Sequence, residues 1–282
     1  MGFAFINDKF LPEENAVLHV QDLSIQRGYG IFDFFKVENS VPVFMEEHLD
    51  RFYFSANEMR LIAPYGKEEL KKIIFELLEK NNVKNAGVRI TLTGGYSNDG
   101  FQLSSPNLAI CMRTFSPPTK EQFEGGIKLI SYEYQRQLPQ VKTIDYLMAI
   151  WLQPLIINNG ADDVLYHQHG NVTECPRSNF FIITENNTIV TPSKNVLKGV
   201  VRNKLLTIAK SGFNIEERDI TLGEIKTAKE AFITSTTKTV LPVRQVDEHI
   251  FPKHNPITVQ LFELLSIRQS QKQADFTSNF QD

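Results

Sequence analysis

A glycine at a predicted loop-to-helix transition is the first feature that suggests anion binding. Gly199 precedes a helix that we expect to run from Val200 to Lys210 and to be closed by Gly212. Backbone N–H groups at a helix start lack partners within the helix and carry partial positive charge. The amides of Val200 and Val201 would therefore point at a phosphate, although such a glycine is more often only a helix cap.

Hydroxyl side chains form a second candidate anion site. Ser235, Thr236 and Thr237 lie at the end of an apolar segment, where hydroxyls and main-chain amides suit phosphate or carboxylate oxygens. Arg51, within a predicted helix, would add a fixed positive charge. Taken singly, hydroxyl clusters are mostly turns and helical arginines are mostly solvated, so only the combination favours an anion site.

Several motifs that would identify other chemistry are absent from the sequence. It contains no Walker P-loop, no GxGxxG that opens a helix after a strand, no GxSxG and no HExxH. His167 and His169 suggest a metal, but no third ligand has a convincing spacing, so we expect no metal site.

Composition and charge narrow the class of protein. The 282 residues are 41% hydrophobic and 22% charged, which is typical of a globular protein with one large domain or two modest ones. A formal net charge of -3 predicts neither a nucleic-acid partner nor a membrane partner. No signal-peptide pattern or long apolar segment occurs, and the two cysteines suggest no disulfide framework, so we expect a cytoplasmic location.

Hydrophobic periodicity predicts the elements that must position these residues. In the first 115 residues we expect strands at 3–6, 16–20, 31–37, 88–93 and 108–112. Apolar residues three and four apart predict helices at 46–61 and 67–78, which should cover one side of that sheet. This order indicates an α+β arrangement rather than strict βαβ alternation.

A segment rich in Pro, Gly and charge, residues 116–126, is expected to link two domains. After it we predict strands at 127–132, 163–166, 180–184, 188–191, 214–217, 231–234 and 240–246. A helix is expected at 145–158, where Pro154 should kink or shorten it. A last helix is expected at 256–269, before a polar tail at 272–282.

Six segments of the chain occur in an order that is typical of one family. They are residues 20–33, 47–56, 141–142, 171–181, 191–202 and 232–243. Together they resemble the class IV aminotransferases, the fold-type IV pyridoxal-phosphate family, over roughly residues 16–247. The ordered combination is far more specific than any single segment.

The resemblance implies a site residue by residue. Lys142 corresponds to the lysine that forms a Schiff base with pyridoxal 5'-phosphate, and Glu174 to the carboxylate beside the pyridine nitrogen. The implied phosphate ligands are Arg51, Gly199, the amides of Val200 and Val201, Ser235 and Thr236. The implied substrate contacts are Arg27, Phe32 and Thr237.

General chemistry agrees with the two central assignments. A lysine must lose its proton to act as a nucleophile, and a partly buried pocket beside a cationic ring favours the neutral amine. A carboxylate at the ring nitrogen keeps that nitrogen protonated, so the ring can accept electrons when the substrate's Cα loses a proton. Without the family pattern, Lys142 would be a surface lysine before a helix and Glu174 a loop carboxylate.

Several positions depart from the family pattern, most of them on the side expected to face the substrate. Arg27 stands where an aromatic residue is usual and Gly94 where an arginine is common. In the phosphate motif, Val201 stands where a threonine is usual, which keeps the amide but removes a hydroxyl. The usual Asp-Arg-Gly is Asp-Leu-Ser at residues 22–24. Phe32 favours an apolar pocket, whereas Arg27 would instead pair with a substrate carboxylate.

The leading functional hypothesis is an aminotransferase that moves an amino group between an amino acid and a 2-oxo acid in a ping-pong cycle. A branched-chain or other hydrophobic amino acid is the favoured substrate. Aminodeoxychorismate lyase and D-amino-acid aminotransferase, from the same family, are alternatives in that order. A non-catalytic relative that binds the cofactor is a further alternative, but the presence of both Lys142 and Glu174 argues against it.

The resemblance also implies a fold and an assembly. We expect the α+β, two-domain architecture of fold-type IV enzymes, similar to D-amino-acid aminotransferase. Residues 1–115 would form a small α/β domain, and residues 127–271 a larger cofactor-binding domain with a barrel-like core. A homodimer is expected, with the active site between the two domains and loops of the partner helping to close it.

Overall fold

The computed structural model describes the backbone of residues 2–279 and the side chains of residues 2–271. The chain divides into two compact units. One contains residues 2–115, Val141–Asp145 and residues 275–279, and the other contains Ser116–Gln140 and Tyr146–Ala274. This grouping differs from the proposed ranges 1–115, 116–126, 127–271 and 272–282, because residues 116–126 group with the second unit and Val141–Asp145 with the first.

The first unit is a sheet covered by helices. Its strands are β1 (Phe3–Ile6), β2 (Lys9–Pro12), β3 (Gly30–Glu38), β4 (Val41–Pro42), β5 (Ala86–Thr93) and β6 (Leu108–Arg113). Its helices are α1 (Leu23–Arg27), α2 (Met45–Glu58) and α3 (Lys67–Asn81). Among the described residues the strands pair antiparallel throughout, in the order β2-β1-β6-β5-β3-β4.

The predicted stripes on the two longer helices of the first unit are confirmed as core faces. Helices α2 and α3 bury Leu49, Phe52, Leu70, Ile74 and Leu77, which share one core with Ile31, Phe35, Val88 and Ile90 of the sheet. Fully burying one such side chain contributes about 1.5–3 kcal/mol. Helix α2 ends at Glu58 rather than at residue 61, because Arg60 adopts a left-handed conformation with φ of 55°.

The predicted strand at residues 16–20 is wrong. A single 3-10 turn, Glu13–Asn15, follows β2, and the chain then continues as a loop to the short helix α1. Val17 and Val20 are 72% and 69% exposed, so their apolar side chains have no sheet face to cover. The short apolar run was therefore a poor guide here, because such a run forms a strand only where one of its faces is buried.

The second unit is built on a mixed sheet. Its strands are β7 (Ile127–Glu133), β8 (Asp163–Gln168), β9 (Asn171–Val172), β10 (Glu174–Cys175), β11 (Ser178–Ile183), β12 (Ile189–Thr191), β13 (Ile215–Glu217), β14 (Ile220–Thr221), β15 (Glu230–Ser235), β16 (Thr239–Val246) and β17 (His249–Ile250). In the described part of the chain they follow the order β13-β12-β11-β15-β16-β7-β8-β9-β14, with β10 on β11 and β17 on β16. Three pairs are parallel: β12 with β13, β16 with β7 and β7 with β8.

The second unit contains the three predicted helices, with changes in two of them, and two short helices that the sequence had not predicted. In chain order they are α4 (Lys120–Gly125), α5 (Leu147–Trp151), α6 (Gln153–Asn158), α7 (Val200–Ala209), α8 (Leu222–Ile225) and α9 (Pro256–Asn279), of which α4 and α8 are the two that were not predicted. The helix predicted at 145–158 is interrupted at Leu152, and Pro154 lies in the first turn of α6, as its missing N–H requires. The expected linker contains α4, which begins with a capping box between Thr119 and Gln122.

Helix α9 is longer than predicted and continues beyond residue 269 to Asn279. Its start is held by the buried Glu230, whose carboxylate accepts hydrogen bonds from the backbone N–H groups of Ile257 and Thr258. The last part of the predicted polar tail, from residue 280, lies outside the described residues. Within the described part of the chain, each helix is too short or too polar to cross a membrane.

Candidate active site

The segment that carries Lys142 is fixed by hydrogen bonds of its backbone. The Phe32 amide donates to the Lys142 carbonyl at 3.0 Å, and the Ile144 amide donates to the Gly30 carbonyl at 3.0 Å. The Lys142 amide donates to Ser55 Oγ of α2 at 3.2 Å. These bonds extend the edge of β3 and hold Lys142 in the first unit, independently of its side chain.

The amine of Lys142 lies over an aromatic ring. Its Nζ is 4.4 Å from the centroid of the Phe32 ring, and Arg89 Cζ is 4.0 Å from the same centroid. Phe32 is buried, with 7% of its surface exposed. The structure therefore brings together the predicted anchor Lys142 and the predicted pocket residue Phe32, and it adds Arg89, which the sequence had not singled out.

A buried carboxylate, Asp33, joins two residues of α2. It accepts from Arg51 Nε at 2.8 Å and from Arg51 Nη2 at 2.8 Å, and it lies 2.7 Å from His48 Nδ1. Burial would raise the pKa of the Asp33 carboxyl, but the charges and hydrogen bonds of Arg51 and His48 hold it well below its usual range. Burial lowers the pKa of His48; Asp33 opposes this shift, while the charges of Arg51 and Lys142 add to it.

This arrangement defines what Arg51 can still do. Its contacts with Asp33 engage Nε and Nη2, and within the part of the chain that the structure describes Nη1 has no hydrogen-bond partner. Because an arginine offers five N–H donors, the guanidinium can be oriented by Asp33 and still bind an anion. From the sequence, a role was predicted for neither Asp33 nor His48. The available signal was that Asp33 is a charged residue within an otherwise apolar run at residues 31–35.

Glu174 is a buried carboxylate in the second unit. It is 4% exposed, and its Oε1 accepts from Arg136 Nε at 2.8 Å. Its Oε2 accepts from the backbone N–H of Leu197 at 3.0 Å, and Asn179 Nδ2 donates to the Leu197 carbonyl at 2.6 Å. The amide and the carbonyl of Leu197 are therefore both held, by Glu174 of β10 and by Asn179 of β11. Leu197 lies two residues before Gly199. Arg136 had not been predicted as part of the site.

Gly199 is required at the start of α7 by a close approach to β11. A Cβ atom at this position would lie 2.2 Å from Asn179 Oδ1, so a larger residue would displace the Asn179 amide. Gly199 is the N-cap, and among the described residues no side chain accepts a hydrogen bond from the first turn, so the amides of Val200 and Val201 lack a side-chain cap there. Arg202 is buried and points elsewhere, donating to Pro192 O at 3.0 Å and Glu217 Oε2 at 2.9 Å.

The predicted hydroxyl segment forms the turn between β15 and β16. Ser235, Thr236 and Thr237 are half-buried, and the Lys238 amide donates to Ser235 Oγ at 3.2 Å. Lys238 Nζ is 3.6 Å from Oδ2 of Asp163, a buried residue on β8. The turn is thus tied to the sheet by an ion pair that the sequence had not indicated.

Arg27 ends the short helix α1 and is exposed to solvent. Its Nη1 donates to the Gln26 carbonyl at 2.9 Å. The helix is anchored by the buried Asp22, which caps Ser24 N at 2.8 Å and accepts from Thr93 Oγ1 at 2.7 Å. The role predicted for Arg27 at the substrate therefore stays a prediction.

Two departures from the family pattern contact each other. A Cβ atom at Gly94 would lie 2.9 Å from Leu23 Cδ1 and 3.2 Å from Tyr29 Cδ1. Leu23 is buried at the start of α1. Because Leu23 fills this space, a side chain at position 94 would have to displace Leu23 or Tyr29.

Comparisons with known proteins assign the family. The family model for amino-transferase class IV matches residues 30–246. A D-alanine aminotransferase from Listeria monocytogenes serotype 1/2a (strain 10403S) is 29% identical over 270 residues, which cover 92% of this chain and 93% of the relative. A putative branched-chain-amino-acid aminotransferase from Methanocaldococcus jannaschii is 30% identical over 258 residues, which cover 87% of this chain and 88% of the relative.

A solved structure shares the fold. The branched-chain amino acid aminotransferase of Escherichia coli superimposes with a TM-score of 0.86 at 22% identity, covering 92% of this chain and 92% of that chain. The protein belongs to the class IV aminotransferase family and is a pyridoxal-phosphate-dependent transaminase with the fold-type IV architecture. The fold class, the family and the cofactor expected from the sequence are confirmed.

The donor set of the chain fits pyridoxal 5'-phosphate. The first unit offers the Lys142 amine, and the second offers the uncapped helix start at Gly199 and the buried carboxylate of Glu174.

Proposed function

We propose that Lys142 and Glu174 are the two central residues of this transaminase. Lys142 would bind the cofactor covalently, and Glu174 would hold the proton of its ring nitrogen. The observation that carries the proposal is the Lys142 segment itself, whose backbone is fixed on β3 while its amine lies over the Phe32 ring. A lysine on a rigid element is suited to covalent chemistry because its reach is reproducible.

The chemistry then divides between the cofactor and the protein. When bound, pyridoxal phosphate supplies an aldehyde for attachment and a ring that accepts an electron pair. Lys142, once the substrate's amino group has displaced it, would take the proton from the substrate's Cα and deliver it to C4′, the carbon of the cofactor's former aldehyde group. Glu174 would keep the ring nitrogen protonated, and its burial excludes the water that would weaken this interaction.

We further propose that main-chain and side-chain donors hold the cofactor's phosphate. The amides of Val200 and Val201 would contribute the helix start, and the Ser235 and Thr236 hydroxyls the β15–β16 turn. Arg51, oriented by Asp33, would contribute the positive charge.

The favoured substrate is a branched-chain or other hydrophobic amino acid, with a 2-oxo acid as acceptor. The Phe32 ring beside the Lys142 amine supports an apolar pocket, and the Methanocaldococcus relative is named a putative branched-chain-amino-acid aminotransferase. A second candidate is a D-amino acid such as D-alanine, which the Listeria relative's name favours. Arg27 and Thr237 are proposed as further substrate contacts, and a cytoplasmic location stays a prediction.

A half-reaction screen tests this proposal. The holoenzyme would be mixed with single L- and D-amino acids, and with aminodeoxychorismate, while the absorbance band of the lysine-bound cofactor is followed. We expect L-leucine, L-isoleucine and L-valine to remove the band at least about ten times faster than the D-amino acids. Faster loss with D-alanine would favour the second candidate, pyruvate release from aminodeoxychorismate would favour the lyase, and a protein that takes up no cofactor would contradict the proposed enzymatic function altogether.

We also propose that the protein is a homodimer that uses the face formed by α5 and α6. Large apolar side chains are exposed on these two short helices: Leu147, Ile150, Trp151, Leu155 and Ile157. Trp151 is 63% exposed, and α5 has no buried residue. A cluster of this kind is typical of a protein interface rather than of a solvated surface.

A charged substitution on this face tests the assembly. Trp151→Glu should convert the dimer to a monomer in size-exclusion chromatography with light scattering, because it places a carboxylate in an apolar contact. The matched control is Ile62→Glu in the first unit, whose side chain is 81% exposed and which should leave the mass unchanged. Equal masses for the wild type and Trp151→Glu would place the interface elsewhere.

A further inference from the structure

We infer that Arg136 is a positioning residue that sets the charge which Glu174 presents to the cofactor ring, an inference that rests on the proposed function. Its guanidinium bridges two groups of the second unit. Nε donates to Glu174 Oε1 at 2.8 Å, and Nη2 donates to the Pro139 carbonyl at 2.6 Å. Arg136 thus connects the buried carboxylate with the chain that leads toward Lys142.

The contacts of Glu174 show why one arginine has a large influence. Side-chain exposure is 15% for Arg136 and 6% for Glu174, so the pair is largely shielded from solvent. Interactions between charges are much stronger in such surroundings than in water. Arg136 therefore stabilises the ionised form of Glu174, and with it the negative charge that would keep the ring nitrogen protonated.

The backbone around Arg136 makes this geometry reproducible. The Gln135 side chain donates from Nε2 to the Asn195 carbonyl at 3.1 Å. The same loop supplies the Leu197 amide to Glu174 Oε2 at 3.0 Å. The two carboxylate oxygens of Glu174 are accordingly held by two segments, one with Arg136 and one with Leu197, that are themselves connected. A neutral donor could supply a hydrogen bond to Glu174, so the presence of a cation at this position suggests a role for its charge.

The neighbouring ionisable groups leave this role to Arg136. Burial raises the pKa of the Cys175 thiol and of the Tyr166 hydroxyl, so both are neutral near pH 7. Asp163 and Lys238 lie 3.6 Å apart and offset each other's charge. Neither pair adds net positive charge beside Glu174, whereas Arg136 does so by direct contact.

The test is a spectroscopic pH titration of the holoenzyme, which reports charge rather than turnover. Arg136→Gln keeps hydrogen-bond donors but removes the charge, and we expect it to raise the midpoint of the lysine-bound cofactor band by about one pH unit. Arg136→Lys keeps the charge and should stay close to the wild-type midpoint. Arg268→Met removes an exposed arginine of the same unit and should leave the midpoint unchanged.

A double variant shows whether Arg136 acts through Glu174. In the Glu174→Gln background, Arg136→Gln should add no further shift, because the charge that it modulates is already absent. If Arg136→Gln alone does not fold, the double variant can still be titrated, because neither of its two glutamines is a buried unpaired charge. The inference would be overturned if the midpoint shift of the double variant equalled the sum of the two single shifts. It would also be overturned if Arg136→Gln bound the cofactor and kept the wild-type midpoint. A failure to bind cofactor in the wild type would instead contradict the proposed function.

Discussion

Lys142→Ala is expected to remove the absorbance band of the lysine-bound cofactor and to lower turnover by at least about a thousandfold. Two functions are lost together, since the amine would both attach the cofactor and move the substrate's Cα proton, and proton transfer alone contributes about 10²–10⁴-fold. The fold should survive, because the bonds that fix this segment use the backbone of Lys142: its carbonyl accepts from Phe32 and its amide donates to Ser55.

The matched control for this variant is Lys84→Ala, which removes an exposed lysine from the same unit. Its spectrum, turnover and melting temperature should equal those of the wild type. For Lys142→Ala, a melting temperature of the apoprotein within a few degrees of the wild type would confirm that the loss is chemical. A persisting band or measurable turnover would show that another lysine anchors the cofactor.

The longer helices and most strands were accessible to sequence reasoning because their burial is periodic, whereas the short helices α1, α4 and α8 were not predicted. Residues such as Leu49, Phe52 and Leu70 repeat at three and four positions, and the structure buries them in one core. The failures occur where no period exists. Residues 16–20 are a mostly apolar run without a face to bury, and the grouping of Val141–Asp145 with the first unit depends on hydrogen bonds to β3 that local sequence does not encode.

The candidate site was predicted as a set of residue types, but the contacts that orient them were not. Lys142, Glu174 and Gly199 occur in recognisable segments, whereas Asp33 and Arg136 are ordinary charged residues until the fold places them. Asp33 is 15 positions from His48 in the chain, and Arg136 is 38 positions from Glu174. Such pairs have no fixed spacing, so they become visible only when the strands and loops that carry them are in place.

Glu174→Gln is expected to retain the cofactor but to slow the half-reaction by about 10²–10³-fold. An uncharged amide no longer holds the proton on the ring nitrogen, so the ring accepts the electron pair from Cα much less readily. Stopped-flow absorbance would measure this rate, and a substrate deuterated at Cα should show that proton removal limits it. The variant also affects the local structure, because both carboxylate oxygens accept hydrogen bonds, from Arg136 and from the Leu197 amide.

A glutamine side chain supplies one acceptor where Glu174 supplies two, so its NH₂ group must face either Arg136 or the Leu197 N–H, both donors. We therefore expect the apoprotein to lose about 1–3 kcal/mol of stability, the cost of one unsatisfied buried donor. Glu248→Gln, at an exposed carboxylate of the second unit, controls for the loss of charge and should change neither quantity. A destabilised variant with a near-normal half-reaction would show that Glu174 supports the loop at Leu197 and has no role at the ring nitrogen.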